Sequence, residues 1–350
     1  MRYFIGVDHH KKFSYMTVMD AKGTVVKEGK VSNSQESVYR FLGEKYRQGT
    51  SAVLEAGRNW TVMHDWLEEA VDEVTLAHPV KVKAIAEAKI KTDKIDAKIL
   101  AHLLRTDLVP KAYVSDKETR KVKNILRQRM FLVKMQTMVK NRIHTIVDRH
   151  PDAKGNLLLS DLFGKQGMEW LKSVPLPKED RKLLDEEPDI MKYLKEKITS
   201  SDNWVISLGK RDKRVELLMT IPGIGKFFAL LIVNEIGDIA RFCNKNKLAS
   251  YAGLIPSIHA SGERLFHGRI VKSGNKYLRW ALIEAVWPAI KKDLALQDVY
   301  QSLKAKKGAN QAKVAVARRL SVIVYRVLSQ KRPYYIPSGR PHFSLAEATC

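Results

Sequence analysis

Tyr-Phe-Ile-Gly-Val-Asp (3–8), Ser-Ala-Val-Leu-Glu (51–55) and Lys-Thr-Asp-Lys-Ile-Asp-Ala (91–97) decide the fold of this chain. The first two are short apolar runs that read as buried strands, and each ends on a carboxylate. A carboxylate there is partly desolvated, which is costly unless a cation or a donor compensates. In the third stretch Asp93 and Asp96 stand three apart, so on a helix they project from one face about a turn from each other. An acidic cluster inside a chain of net charge +24 calls for a cation of its own. Asp8, Glu55, Asp93 and Asp96 are therefore the candidate ligands of paired divalent metals acting on a phosphodiester. For Asp93 alone, the alternative is an ordinary helix N-cap.

Working outward, residues 1–110 alternate strand and helix. Strands are expected at Phe4–Val7, Ser14–Met19, Thr24–Val31, Ala52–Leu54 and Val74–Ala77. Helices are expected over Gln35–Tyr46, Trp60–Ala70, Pro79–Ala88 and Asp93–Arg105. A three-strand meander followed by αβαβα is the order of ribonuclease-H-like α/β folds, an inference from topology alone. Over 111–150 the period changes. Val122, Ile125, Arg129, Leu132, Gln136, Val139, Ile143 and Ile146 step alternately by three and four, which predicts a long coiled-coil helix that assembles a homo-oligomer. The competing reading is an amphipathic helix packed on its own domain. Residues 151–210 are charged and carry Pro175, Pro177 and Pro188, so only short helical pieces of a linker are expected. A mainly helical domain follows over 211–335, and 336–350 reads as a tail.

The balance is 62 Lys and Arg against 38 Asp and Glu, which favours a polyanionic partner over a small acidic metabolite. The excess is uneven: Lys111–Arg149 carries eleven cations against three acids, and Lys304–Arg332 nine against none. Lys11 after Asp8, and Arg127, Lys134, Lys140 and Arg142 on the long helix, are candidate phosphate contacts, as is Lys272 further on. Cys243 and Cys350 support neither a disulfide framework nor a cysteine zinc site. With no secretory signal and no bilayer-length apolar run, the expected location is cytoplasmic, with no membrane partner.

In the C-terminal half, Ile-Pro-Gly-Ile-Gly-Lys (221–226) heads an apolar run in the manner of a helix-hairpin-helix, whose turn amides face a phosphate, with Lys226 beside them. Tyr251–Arg264 and His267–Arg279 read as a loop of serines, glycines and cations ahead of an apolar helix. Spacing alone identifies no nucleophile there, because a Ser before Gly is ordinarily a turn residue.

These motifs together resemble the insertion-sequence-110 family of transposases, the DEDD-type recombinases of bacterial mobile elements. The likeness runs over nearly the whole chain and rests on Gly-Val-Asp-His-His-Lys, Leu-Glu-Ala-Gly-Arg-Asn-Trp, Lys-Thr-Asp-Lys-Ile-Asp-Ala-Lys, Ile-Pro-Gly-Ile-Gly and Ala-Ser-Gly-Glu-Arg. It implies a RuvC-like domain whose acidic tetrad is Asp8, Glu55, Asp93 and Asp96, a coiled coil used in assembly, and a transposase domain with a catalytic serine. The family serine directly precedes a glycine, which selects Ser261; Ala260 stands where many relatives carry a second serine, and Ser257 lies close by. The resemblance further implies a structured bridge RNA pairing with target and donor DNA, Mg2+ at the acids, a dimer or tetramer, and Arg264 as a cation beside the serine. The competing readings are a RuvC-like structure-specific nuclease using metal-activated water and a nucleic-acid scaffold with a decayed site. A sugar-kinase-like ATPase also begins with a strand ending in Asp, but no phosphate-loop glycines follow Asp8.

Overall fold

The computed structural model describes residues 2–86, 92–154, 161–208, 212–261, 264–271 and 273–336, in two compact units, 1–115 and 116–350. In the first unit β1 (Tyr3–His9), β2 (Phe13–Asp20), β3 (Val25–Ser32), β4 (Thr50–Glu55) and β5 (Glu73–Ala77) form one sheet in the order β3-β2-β1-β4-β5. The β1–β2 and β2–β3 pairs are antiparallel, and β1–β4 and β4–β5 are parallel. Four helices complete the unit: α1 (Gln35–Leu42), α2 (Trp60–Glu68), α3 (Pro79–Ile85) and α4 (Asp93–Arg105).

Alternation along β1 sorts its side chains between two layers. Tyr3, Ile5 and Val7 share a buried core with Met16, Val18, Val38, Leu42, Met63 and Leu67, the face covered by α1 and α2. The even-numbered positions meet α4. Gly6 permits that contact, since a Cβ there would lie 2.5 Å from the backbone nitrogen of Ala101. On β4, Val53 faces the same way and packs with Ala77, Leu100 and Leu103. Ser34 caps α1 by accepting from the Ser37 amide at 3.2 Å, and Thr92 caps α4 by accepting from the Ile95 amide at 3.3 Å.

The second unit is mainly helical: α5 (Lys117–Asp148), α6 (Pro151–Lys154), α7 (Lys165–Ser173), α8 (Lys178–Leu208), α9 (Lys213–Met219), α10 (Lys226–Ile236), α11 (Lys245–Tyr251), α12 (Lys276–Glu284), α13 (Val286–Lys292), α14 (Leu294–Lys307) and α15 (Ala309–Gln330). One antiparallel ribbon interrupts them, β6 (Pro256–Ser261) with β7 (Arg264–Ile270). Helix α10 is apolar on nearly every side and sits inside the core, against residues of α12, α13 and α15.

Two expectations are corrected here. The region 151–210 is not a run of short segments, because α8 continues for 31 residues with Pro188 inside it. A proline in a helix costs about 3 kcal/mol in isolation, but packing on both sides of it offsets that loss. The packing is a seam: Leu184, Glu187, Met191, Leu194, Ile198, Ser201 and Val205 step by three and four and are buried or half-buried. Its partner is α5. Ion pairs join Arg129 to Asp202 at 2.9 Å, Arg142 to Glu187 at 2.5 Å and Arg149 to Asp180 at 3.2 Å, so the two helices run antiparallel. The seam expected to join subunits is thus closed within one chain, as in the competing reading. The expected tail lies, from residue 337, outside the described residues.

Candidate active site

Asp8 follows Gly6 on the face of β1 that meets α4, and Glu55 follows Val53 on that face of β4. The parallel register pairs Val7 with Leu54, so one further step sets Asp8 abreast of Glu55. The first turn of α4 supplies Asp93 and Asp96. Thr92, not Asp93, is the N-cap, so the alternative role for Asp93 is already filled.

The Asp93 carboxylate instead meets His10. The His10 Nε2 atom lies 3.0 Å from Asp8 Oδ2 and 3.1 Å from Asp93 Oδ1. The backbone of His10 is fixed by Asn33, whose Nδ2 donates to the His10 carbonyl at 2.7 Å. Asn33 in turn accepts from Ser14 Oγ at 2.8 Å. Burial raises the Asp8 carboxyl above its ordinary pKa; the charges of Asp96 and Asp93 push the same way and His10 opposes them. Burial lowers the neighbouring His9. The ligand atoms of Asp8, His10 and Asp93 all lie within 4.8 Å of one another, a donor set that fits a divalent cation. Sequence reading missed His10 in this role: two histidines follow β1, and only the fold shows which one turns back over the acids. Among the described residues a second trio, His64, Asp65 and Glu68, also converges. It comes from one helix and lies beside the Trp60 ring.

In the second unit the stretch read as a loop contains the β6–β7 ribbon, whose register pairs Ser261 directly with Arg264. The Gly-rich turn joins α9 to α10. A Cβ on Gly223, at φ +86°, would lie 2.3 Å from the Ala285 carbonyl oxygen, so one side of the turn is packed on α13. Gly225 is exposed with open space beside it, no side chain caps α10 there, and Lys226 follows as its first residue.

The candidate cations divide. Lys11 and Lys134 are exposed. Lys140 lies over the Phe163 ring at 4.7 Å. Arg142 pairs with Glu187, and Arg127 grips Glu235 through three hydrogen bonds of 2.8–3.0 Å. Acids of their own unit thus hold both Arg127 and Arg142, which were expected to meet phosphates. Lys272 lies outside the described residues.

Two family models match in succession: one described as Transposase, of the IS110 DEDD type, over residues 5–150, and one described as Transposase IS116/IS110/IS902 family over 215–301. The first takes in the acids and the second takes in the turn and the ribbon. The chain belongs to the IS110/IS116/IS902 family of transposases. Its similarity to a probable family 20 transposase of Pseudomonas aeruginosa is 26% identity over 285 residues, 77% of this chain and 82% of that protein. A pilin gene-inverting protein of Moraxella bovis is 28% identical over 81% of each chain. The transposase of insertion sequence element IS1111A from Coxiella burnetii is 29% identical over 37% of this chain and 36% of its own. As an insertion-sequence transposase the chain acts on DNA, which accounts for its positive charge. No helix among the described residues is long and apolar enough to cross a membrane.

Proposed function

We propose that this transposase cuts and rejoins DNA through two cooperating centres, an acidic metal site and a serine nucleophile, guided by a bridge RNA. The observation that carries the reading is the convergence of Asp8 and Asp93 on His10, with Asp96 and Glu55 on the same side of the sheet. Asp8, Glu55, Asp93 and Asp96 hold Mg2+, and His10 holds Asp8 and Asp93 in place. Bound Mg2+ supplies positive charge to the scissile phosphate and its leaving oxygen. Ser261 Oγ attacks the phosphodiester and displaces one sugar oxygen, which leaves as a strand-end hydroxyl, so a phosphoserine link forms; attack by a strand-end hydroxyl on that link frees the serine and rejoins the DNA. Arg264, its register partner, stabilises charge on the reacting phosphate.

The sheet order β3-β2-β1-β4-β5 supports a RuvC-like, ribonuclease-H-like reading of residues 1–110. The α9–turn–α10 corner, with Gly225 open beside Lys226, supports a helix-hairpin-helix that meets a phosphate within a domain over 211–335. Likeness to a pilin gene-inverting protein supports an enzyme that rejoins what it cuts. The net charge of +24 supports binding of both DNA and RNA. Subunits assemble as a dimer or tetramer through the outer face of α5 rather than its seam, since Phe131, Met135 and Met138 are exposed there at one-turn spacing.

The test is to express the protein together with its flanking noncoding DNA, sequence the RNA that copurifies, and react the complex with a duplex carrying the element's end in Mg2+. A covalent protein–DNA adduct, lost in Ser261→Ala, is expected. Unchanged cleavage by Ser261→Ala would leave a hydrolytic nuclease as the correct reading.

A further inference from the structure

Glu235, in the second unit, is a buried acid with 1% of its side chain exposed, and no step above uses it. It lies in the last turn of α10 and is bound from two directions. From α5, Arg127 donates to both carboxylate oxygens and stacks over the Tyr277 ring at 4.3 Å. From the start of α12, Asn275 Nδ2 donates to Glu235 Oε2 at 2.9 Å.

Asn275 is the exit of the β6–β7 ribbon, and Tyr251 is its entry. The Asn275 amide donates to the Tyr251 carbonyl at 2.7 Å, and the Val271 amide donates to the Ile255 carbonyl at 2.9 Å, so the two ends of the ribbon are laced together. The Tyr251 hydroxyl reaches the Glu235 carbonyl at 3.3 Å. Asn275 also caps α12 through its Oδ1, which accepts from the Tyr277 and Leu278 amides at 3.0 Å. With both polar ends of its side chain engaged, Asn275 has one rotamer in which all its bonds are made.

A buried ion pair is not, by itself, a source of stability, since apolar residues of similar volume often serve as well. What this one adds is orientation: it ties three helices to the base of the one ribbon that carries Ser261 and Arg264. We propose that Glu235 is a positioning residue for the reaction at Ser261, fixing the base of the β6–β7 ribbon through Asn275 and fastening it to α5 through Arg127. The inference rests on the reading of Ser261 as nucleophile. A misplacement of about 1 Å at the reacting atoms costs on the order of 100-fold in rate. Movement at the ribbon's base therefore affects the chemical step more than DNA binding.

The experiment measures covalent adduct formation under single turnover at saturating DNA, with DNA affinity measured separately, for the full-length protein bearing its copurified RNA. Asn275→Ala and Glu235→Gln are expected to slow adduct formation about 10- to 100-fold while affinity stays within about threefold. Because Glu235→Gln takes the counter-charge from Arg127 and from the buried Lys123 beside it and risks misfolding, the triple variant Lys123→Met, Arg127→Met and Glu235→Leu decides the matter. It removes the three charges at once, and it should melt near the wild-type temperature and remain slow. If it regains the wild-type rate together with stability, or if folded Asn275→Ala reacts at the wild-type rate, Glu235 positions nothing. Ser261→Ala runs alongside. An adduct from that variant overturns the serine reading and this inference with it, whereas an inactive Ser261→Ala beside fully active Asn275→Ala overturns this inference alone.

Discussion

A Cβ placed on Gly6 would stand 1.9 Å from the carbonyl oxygen of Ala97, so strand β1 and helix α4 touch backbone to backbone at that point. The contact sets the depth of α4, and thereby the distance of Asp93 and Asp96 from Asp8. Gly6→Ala must lift the helix, and a destabilisation of roughly 1–3 kcal/mol with loss of strand cleavage is expected. Gly225→Ala, with open space around it, should leave stability within about 0.5 kcal/mol. Chemical denaturation of both variants checks the pair.

Asp8→Asn should abolish cleavage without weakening the metal-free protein. Burial, joined by Asp96 and Asp93, holds the folded-state pKa of Asp8 above its ordinary value of 3.8. Between 3.8 and that raised value the folded protein keeps a proton that the unfolded chain has released. Stability contributed by Asp8 is therefore present below 3.8 and is lost as pH rises through the raised pKa. Asn carries no such penalty at neutral pH. Melting curves in chelator should put Asp8→Asn at or above wild type. Added Mg2+ or Mn2+ should raise the wild-type midpoint and not that of the variant. A metal-dependent shift in Asp8→Asn equal to wild type would count against the acidic site.

Met138→Glu should leave the melting temperature unchanged and reduce the assembled mass seen by light scattering, because Met138 is 61% exposed on the outer face of α5. Val139→Glu, in the half-buried seam against α8, should instead unfold the helix pair. An assembled and fully active Met138→Glu protein would remove this face from consideration.

Lys134→Ala should weaken binding about equally on every DNA sequence and lower the salt slope by about one, as expected of one phosphate contact. Arg127→Ala should behave differently. By stranding the buried Glu235 it should cost on the order of 3 kcal/mol of stability, a loss visible in denaturation without any DNA. Filter binding across a salt series separates the two.

Arg264→Ala should spare most DNA affinity and slow single-turnover cleavage, because a cation at the reacting phosphate matters most in the transition state. Wild-type cleavage by this variant would move the reacting centre away from the β6–β7 ribbon.

The first unit was legible because its strands are short apolar runs ending on polar residues; setting Asp8 abreast of Glu55 needed the parallel register of β1 with β4 as well. His10 was not legible, since nothing in His-His-Lys distinguishes a solvent-facing ring from one that bends over Asp93. Helix α8 was hidden by Pro188 and by Glu187 and Ser201, polar residues in its seam that make sense only opposite α5. The ribbon was hidden for a related reason: Ser257, Ser261 and Gly262 carry turn chemistry, and apolar alternation between them is confined to Ile258 and Ala260. For His10 and for α8 the missing information was a partner distant in sequence, Asp93 in the one case and α5 in the other.

The antiparallel pairing of α5 with α8 also limits how this enzyme can change size. One residue added to either helix rotates everything beyond it by about 100° and parts Arg142 from Glu187 or Arg149 from Asp180. Seven residues added to both helices at once restore the face and keep the ion pairs opposite one another. Each such step lengthens the pair by about 10 Å, roughly three base pairs of duplex. The helix pair is in effect a ruler with coarse graduations, so related elements should differ in its length by heptads and not by single residues.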